Sequence, residues 1–429
     1  MKFMRVFQSD NSKDKALLST VQSFFLLIYF IELVFPRFNT YGNSTLICIC
    51  CFYLWLVTAY IISPSLFYEI SLVDFALIAL YILMVFIPYA FGYSVISHRY
   101  MSTGLFFWGH FIFKYYKSTN QLKKLGIIIV VVAILSCITA CTTLSALLKD
   151  PYIARSIKSS GEYSASLAKK NIGGYKIIYY FVGCDIIFLY LFAVSKGILK
   201  KISFLLLYLF ILFTIIKSNY MTAFLTVIIC SVLLVVFIAI AQRENIFFTC
   251  LFCFFVIMLL ISLLDKLALM LPERISRVLL SGNKGVFEAI VDEFKDDRFP
   301  TLIISWEAAS SNPVSGLIGS NGLSYSGQSL QGFGQHSFFL DTLALYGMPI
   351  GIFFIAVVLK ASVYSKKTGK HKVLNQVILV YTVMTLLFNN ATDSIALIIY
   401  IFCPFIQYIT QREQGECYAC DNRKVVTVN

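Results

Sequence analysis

One histidine stands where a long polar segment re-enters an apolar run. It is His336 in Gly332-Phe333-Gly334-Gln335-His336-Ser337-Phe338-Phe339-Leu340-Asp341. An imidazole at that point can take a proton at neutral pH. Base, acceptor clamp and phosphate ligand are all open to it. Asp341, one turn into the apolar run, is the rival base, because an ionisable group at membrane depth is functional by default; pairing with a neighbouring helix is its other explanation. The same polar segment holds Arg274, Arg277 and Arg298, and a shorter basic segment holds Arg155 and Lys158. Guanidinium groups make paired hydrogen bonds to phosphate oxygens. For Arg274 and Arg277 a solvated helix face is the competing account. Glu307 lies beside Trp306, whose ring could stack on a ligand ring or anchor in a membrane interface. His98 and His110 read as interfacial or buried polar groups, and His371 lies in a basic run. Asp74 and Asp185 fall inside apolar runs, where structural pairing is the expected role.

The elements that must position these groups are membrane helices. The chain is 59% hydrophobic and 13% charged, with a mean hydropathy of +0.80, whereas a soluble domain carries about 25% charged residues. The composition predicts an all-α, polytopic membrane helix bundle occupying residues 1–429 as one domain. About twelve apolar runs have spanning length. They lie near 16–35, 44–62, 70–91, 95–113, 125–148, 177–195, 202–217, 220–241, 246–264, 338–359, 374–391 and 393–410, with a polar hairpin, Asn389 to Asp393, between the last two. The first run lacks a small-residue cleavage site after it and is expected to be retained.

A net charge of +13 does not point to nucleic acid, because the cations concentrate in short connectors, where they set topology and meet anionic headgroups. With a cytoplasmic N-terminus, the inner segments are 2–15, 114–124, 196–201, 243, 360–372 and the tail 411–429. The tight outer turns then hold only Arg37, Arg99 and Lys217. Both termini become cytoplasmic, and residues 265–337 form one large outer loop of 73 residues. The outer loop 149–176 breaks the charge rule with Lys149, Arg155, Lys158, Lys169, Lys170 and Lys176 against Asp150 and Glu162. An anionic ligand is one reason for that excess and simple tolerance the other.

The large loop has internal order. Leu271, Ile275, Val278 and Leu279 share a helical face, as do Val286, Phe287, Ile290, Val291 and Phe294, which predicts short amphipathic helices. Pro300 suits the first turn of a third helix, Thr301 to Ser310, and Asn312-Pro313 ends it. The following stretch, Gly316 to Gly334, is too flexible for regular structure unless a ligand or the bundle orders it. Ten of twelve cysteines fall in apolar runs as small hydrophobes. Cys417 and Cys420 form a lone CxxC without a nearby histidine, so no zinc site is expected. Walker and GxGxxG motifs are absent.

The segment Asn312-Pro313-Val314-Ser315-Gly316-Leu317-Ile318-Gly319, followed by Gly334 to Asp341 and by Leu345-Tyr346-Gly347, resembles the bacterial O-antigen and capsular repeat-unit polymerases of the Wzy type and the related O-antigen ligases. Arg298, Pro313, Gly316, Gly319, His336 and Gly347 match the pattern, and Pro151 to Arg155 resembles a first outer loop in which an arginine follows a proline. The likeness covers topology over the whole chain but sequence only near 298–347 and loosely near 151–155. The glycines stand as Gly-Leu-Ile-Gly rather than Gly-x-Gly. Lys217 to Thr222 lacks the arginine that the ligase branch tends to carry there, which favours polymerase.

The resemblance implies transfer of a growing glycan from a polyprenyl diphosphate carrier to a hydroxyl of the next lipid-linked repeat, at the outer face of the bacterial inner membrane. It implies no metal, no nucleotide sugar and no cofactor, and it admits a chain-length regulator protein as partner. His336, Arg298 and Asp341 would be catalytic, and Arg155, Lys158, Arg274, Arg277, Trp306 and Glu307 would bind substrate. A ligase, or a flippase of lipid-linked oligosaccharide, would share much of this frame. A flippase is expected to put charge throughout its central helices and to keep its outer loops short.

Overall fold

The computed structural model describes residues 12–40, 44–101, 103–157, 162–241, 299–326, 329–331, 333–334, 336–363, 370–390 and 393–413. Its helices are α1 (Ser12–Val34), α2 (Ser44–Ile62), α3 (Leu72–Ala90), α4 (Ser94–Met101), α5 (Gly104–Ser118), α6 (Leu122–Leu147) and α7 (Glu162–Lys169). Next come α8 (Tyr175–Val194), α9 (Ile198–Lys217), α10 (Met221–Ala241) and α11 (Phe299–Ser311). A two-stranded antiparallel hairpin, β1 (Ser324–Ser326) and β2 (Ser329–Gln331), precedes α12 (Phe338–Ala361) and α13 (Lys370–Phe388), with Ser324 paired to Gln331. The last helical stretch, α14, runs through Asp393–Ala396, a wide π turn at Leu397–Phe402, and Cys403–Glu413.

Eight helices among the described residues are long and apolar enough to cross a membrane, and Leu46–Ile62 and Lys372–Phe388 are shorter apolar helices. The polytopic helical class therefore stands. The twelve expected spans do not all appear. The fourth, near 95–113, is two helices, α4 and α5, that part around Thr103. The ninth, 246–264, lies outside the described residues, as do the two amphipathic segments of the large loop, the tail after Glu413, and with it Cys417 and Cys420.

Why these runs form helices follows from their surroundings. In hydrocarbon every backbone group must be satisfied within its own segment, and hydroxyls inside the spans fold back on their own helix. Thr58 bonds the carbonyl of Leu54 at 2.8 Å, and Ser136 that of Val132 at 2.7 Å. Ser71 caps α3 by accepting from the Asp74 N–H, and Ser337 caps α12 by accepting from the Leu340 N–H, each satisfying an orphan donor of the first turn. Packing is tightest around α8 and α14. A methyl group on Gly183 would lie 2.6 Å from the Ile398 side chain, and one on Gly109 would lie 3.0 Å from Tyr400. Small residues at crossings let membrane helices approach closely. In α8, 78% of the spanning window is buried, against 17% in α9, so α8 is central and α9 peripheral.

The bundle has two distinct ends. One gathers Val34, whose carbonyl accepts from Thr139, and Arg37, whose N–H donates to Asn171. It also holds Ala154 bound by Tyr220, Lys176 bound by Ser394, and Phe338 bound to Asn389. At the other end Ser19 donates to Gln121 at 2.5 Å, Lys124 donates to Ser19 at 2.8 Å, and Gln407 donates to Asn375 at 2.6 Å. The first set coincides with the segments that the charge pattern assigns outside, and the second with those assigned inside.

Candidate functional site

At the first end, α11 begins with Pro300 in its opening turn and stops at Ser311 before Asn312-Pro313, as the sequence predicts. Its buried face is Ser305 and Ala309, four residues apart, and Trp306 and Glu307 are exposed. The Ser305 hydroxyl donates to Asp341 Oδ1 at 2.6 Å and accepts the Gly334 N–H at 2.8 Å. Asp341 is thus buried and ties α12 to α11 and to the strap that leads into His336. That geometry fits positioning better than proton abstraction. His336 is exposed, one residue before the Ser337 cap.

Of the two agents that could order the glycine-rich stretch, the bundle is the one seen at its start. Gly316–Gly319 forms a buried helical turn against α12. Its anchor is a backbone crossing. Gly347 interrupts α12 at φ 81, ψ 166, a region open essentially to glycine alone. A methyl group on Gly347 would lie 2.3 Å from the Val314 carbonyl oxygen, and one on Gly316 would lie 2.3 Å from that of Leu345. The Met348 N–H donates to the Pro313 carbonyl at 2.7 Å, so the helix break is satisfied by the loop. Pro313, Gly316 and Gly347, noted in the sequence as a pattern, are therefore one contact.

Arg155 lies in a 3-10 turn, Ile153–Ser156. Its guanidinium carbon stands 5.3 Å from the centroid of the Tyr220 ring, a cation–π distance. The Tyr220 hydroxyl bonds the Ala154 carbonyl at 3.2 Å, and the Tyr220 and Tyr179 rings meet edge-on at 6.3 Å. Asn219, in the left-handed region, is fully buried beside Tyr220, and neither atom of its amide has a hydrogen-bond partner. Lys158, Arg274, Arg277 and Arg298 lie outside the described residues. The sequence-derived residues thus form two groups at one end of the bundle, around Ser305–Asp341–His336 and around Arg155–Tyr220.

The bundle also holds charge that sequence reasoning placed differently. Asp393 was expected in a polar hairpin. It is buried, and it accepts from the Tyr29 hydroxyl and from the N–H groups of Leu105 and Phe106 at 3.3 and 3.1 Å. Those are first-turn donors of α5, so a carboxylate from α14 caps the helix that the break in the fourth span exposes. The signal was present: an aspartate heading an apolar run, and a glycine, Gly104, within another. Asp74 has the structural partner expected of it. It accepts from Ser71 and pairs with His110 at 2.6 Å and Lys114 at 3.7 Å. Asp185, at the core of α8, has neither oxygen hydrogen-bonded. Among the described residues, no three His, Cys, Asp or Glu groups cluster as metal ligands. No protein-family model, curated protein or solved structure matches the chain.

Proposed function

We propose that the chain is a membrane glycosyltransferase that lengthens a bacterial surface polysaccharide, taking the growing glycan from a polyprenyl diphosphate and adding a lipid-linked repeat unit. What supports this reading is that the turn holding Arg155 over Tyr220 and the exposed His336 beside the Ser337 cap lie at the same end of the bundle. An anionic leaving group and a hydroxyl acceptor need such a pairing of fixed cation and exposed imidazole.

In the reaction, the acceptor hydroxyl oxygen bonds to the anomeric carbon of the donor sugar while the bond from that carbon to the diphosphate oxygen breaks. The electron pair leaves with the diphosphate, and the hydroxyl proton passes to His336. Arg155, pre-oriented by its aromatic neighbour, meets the charge growing on the diphosphate, where fixed donors act most strongly. Arg298 is assigned the same task, Arg274, Arg277 and Lys158 hold the anion, and Trp306 and Glu307, exposed on α11, contact sugar. Asp341 holds α12 against α11 through Ser305.

A second reading has its own support. The buried carboxylates Asp74, Asp185 and Asp393 give the bundle the internal charge expected of a flippase for lipid-linked oligosaccharide. Deleting the gene and sizing the surface glycan separates the two. A single repeat surviving at the surface supports polymerisation, and repeats trapped inside support flipping. Polymer left on its carrier marks a ligase. His336→Ala should leave an inserted protein with an unchanged melting temperature and abolish long glycan. Long chains of normal distribution from that variant would remove His336 from the site.

A further inference from the structure

Midway along α8 stands a carboxyl group with nothing to bond. Asp185 is fully buried, and neither of its oxygens has a hydrogen-bond partner. It lies ten residues from Tyr175 and nine from Val194, so it sits about 15 Å from either end of the helix at ~1.5 Å per residue. A hydrocarbon core is about 30 Å thick, which puts the carboxyl near its middle. Two further polar side chains share that level. Tyr208 is ten residues from the start of α9 and nine from its end, and Ser231 is ten from either end of α10. Tyr208 stands beside both Ser231 and Asp185.

The surroundings carry no positive charge. Cys184, the preceding residue of α8, and Tyr208 of α9 are the titratable groups within electrostatic reach of Asp185. Cys230 from α10, Tyr381 from α13 and Cys403 from α14 gather with Cys184 behind it. Among the described residues no lysine, arginine or histidine acts on Asp185. An ionised carboxylate in that setting carries the full desolvation cost of a buried charge with no attraction to offset it. One bound proton removes the charge. Hard metal cations take about six oxygen ligands, whereas a proton needs one oxygen and no added room.

The carboxyl also lies next to a way out. An apolar cavity of about 670 Å³ runs between α6, α8, α9 and α14. Phe181 and Phe188 of α8 line it, one turn to either side of Asp185, and Phe204 and Ile211 of α9 line it, one turn to either side of Tyr208. Cys184 lines it as well. Of the two helices, α8 is central and α9 peripheral, so α9 is the one that can part from the other and join the cavity to the carboxyl.

We propose that Asp185 is a proton-binding site at the mid-plane of the bundle, neutral while α9 is packed on α8 and releasing its proton when the two helices part. The step breaks the carboxyl O–H bond, leaves the electron pair on oxygen, and gives the proton to water entering between the helices. An intramembrane carboxyl of this kind is the usual carrier in proton-linked movements. The site does not depend on the glycosyl-transfer reading, which concerns one end of the bundle.

The test uses the full chain in lipid nanodiscs. Infrared spectra of protein made with aspartate isotope-labelled at its side-chain carboxyl should show, at neutral pH, the carbonyl band of a protonated acid free of hydrogen bonds. Asp185→Asn should lose that band. The helix movement is read at Cys184, which is buried. Its alkylation by N-ethylmaleimide, followed by peptide mass spectrometry, should rise with pH more steeply in the wild type than in Asp185→Asn, whose amide stays neutral throughout. Unfolding releases the proton to water, so stability should fall as pH rises above the ordinary carboxylate range of about 4, with the unfolding constant climbing about tenfold per pH unit relative to Asp185→Asn. Asp185→Leu, apolar and of similar size, gives the same comparisons if the amide is not tolerated. An ionised carboxylate band in place of the acid, an acid band that survives in the variants, or one alkylation profile with and without the carboxyl would overturn the proposal. So would a sodium-dependent stabilisation lost in Asp185→Asn, which would make the occupant a metal cation.

Discussion

The two ends of this bundle solve opposite problems. Where α11 meets α12, backbone lies on backbone, polar side chains are buried, and each contact names its partner. Where α1 meets α6, Lys124 reaches Ser19 and Thr20, and where α8 turns into α9, Lys196 and Lys200 stand exposed. The first end is tied by backbone crossing backbone, whereas the second is tied by side chains alone, from the buried Gln407–Asn375 pair to the reaching Lys124. A chemical site needs the former, because reacting groups must be held to fractions of an ångström. A lipid-facing surface needs only the latter.

The contrast can be broken at its strongest point. Gly347→Val puts a branched side chain at φ 81 against the Val314 carbonyl. Backbone strain and overpacking each cost roughly 1–3 kcal/mol, so the variant should fail to accumulate as folded protein, as read by size-exclusion of detergent extracts. A normal, monodisperse yield would show that the loop is not anchored there. Asp393→Ala comes next. It removes the buried acceptor of the Tyr29 hydroxyl and leaves the Leu105 and Phe106 N–H groups only their second acceptors, the Tyr29 oxygen and the Thr103 carbonyl, at about 2–3 kcal/mol; Asp393→Asn, which still accepts, should lose less. Thermal unfolding in detergent measures both, and equal losses would mean that the carboxylate does not act as the cap.

The smallest effects compare the ends directly. Ser305→Ala removes one buried bridge and should cost about 1 kcal/mol. Lys124→Ala, at the other end, should stay within about 0.5 kcal/mol. A larger loss at Lys124 than at Ser305 would reverse the assignment of which end is rigid.

Much of the frame was legible in the sequence, because length and hydropathy are local properties. Helix α11, with Pro300 at its start and Asn312-Pro313 at its end, was readable for the same reason. What escaped depended on partners far along the chain. Asp393 looked like a connector residue because its donors, Tyr29, Leu105 and Phe106, are hundreds of residues away. The division of 95–113 into α4 and α5 was hidden because an apolar run carries no mark of a break unless its new end has a cap elsewhere. Asn219 gives no local sign of being buried. The glycine-rich stretch needs a ligand or the bundle to order it, and at residues 313–316 it is Gly347, within an apparently continuous span, that does so. His336 was found by its place at a span entry, and Asp341 by its depth, although the partner that explains Asp341, Ser305, could not be read from either.

The crossing of Gly316 and Gly347 has a mechanical corollary. The loop at residues 313–319 is held at the middle of a span, whereas His336 stands at its rim, one residue before the Ser337 cap. The Met348 N–H that grips Pro313 belongs to the half of α12 beyond Gly347, so a small tilt of that half moves the end of α11 with it, as a crank moves its arm. Whatever bends α12 at Gly347, membrane thickness included, is geared to α11, whose Ser305 holds Gly334 two residues before the histidine.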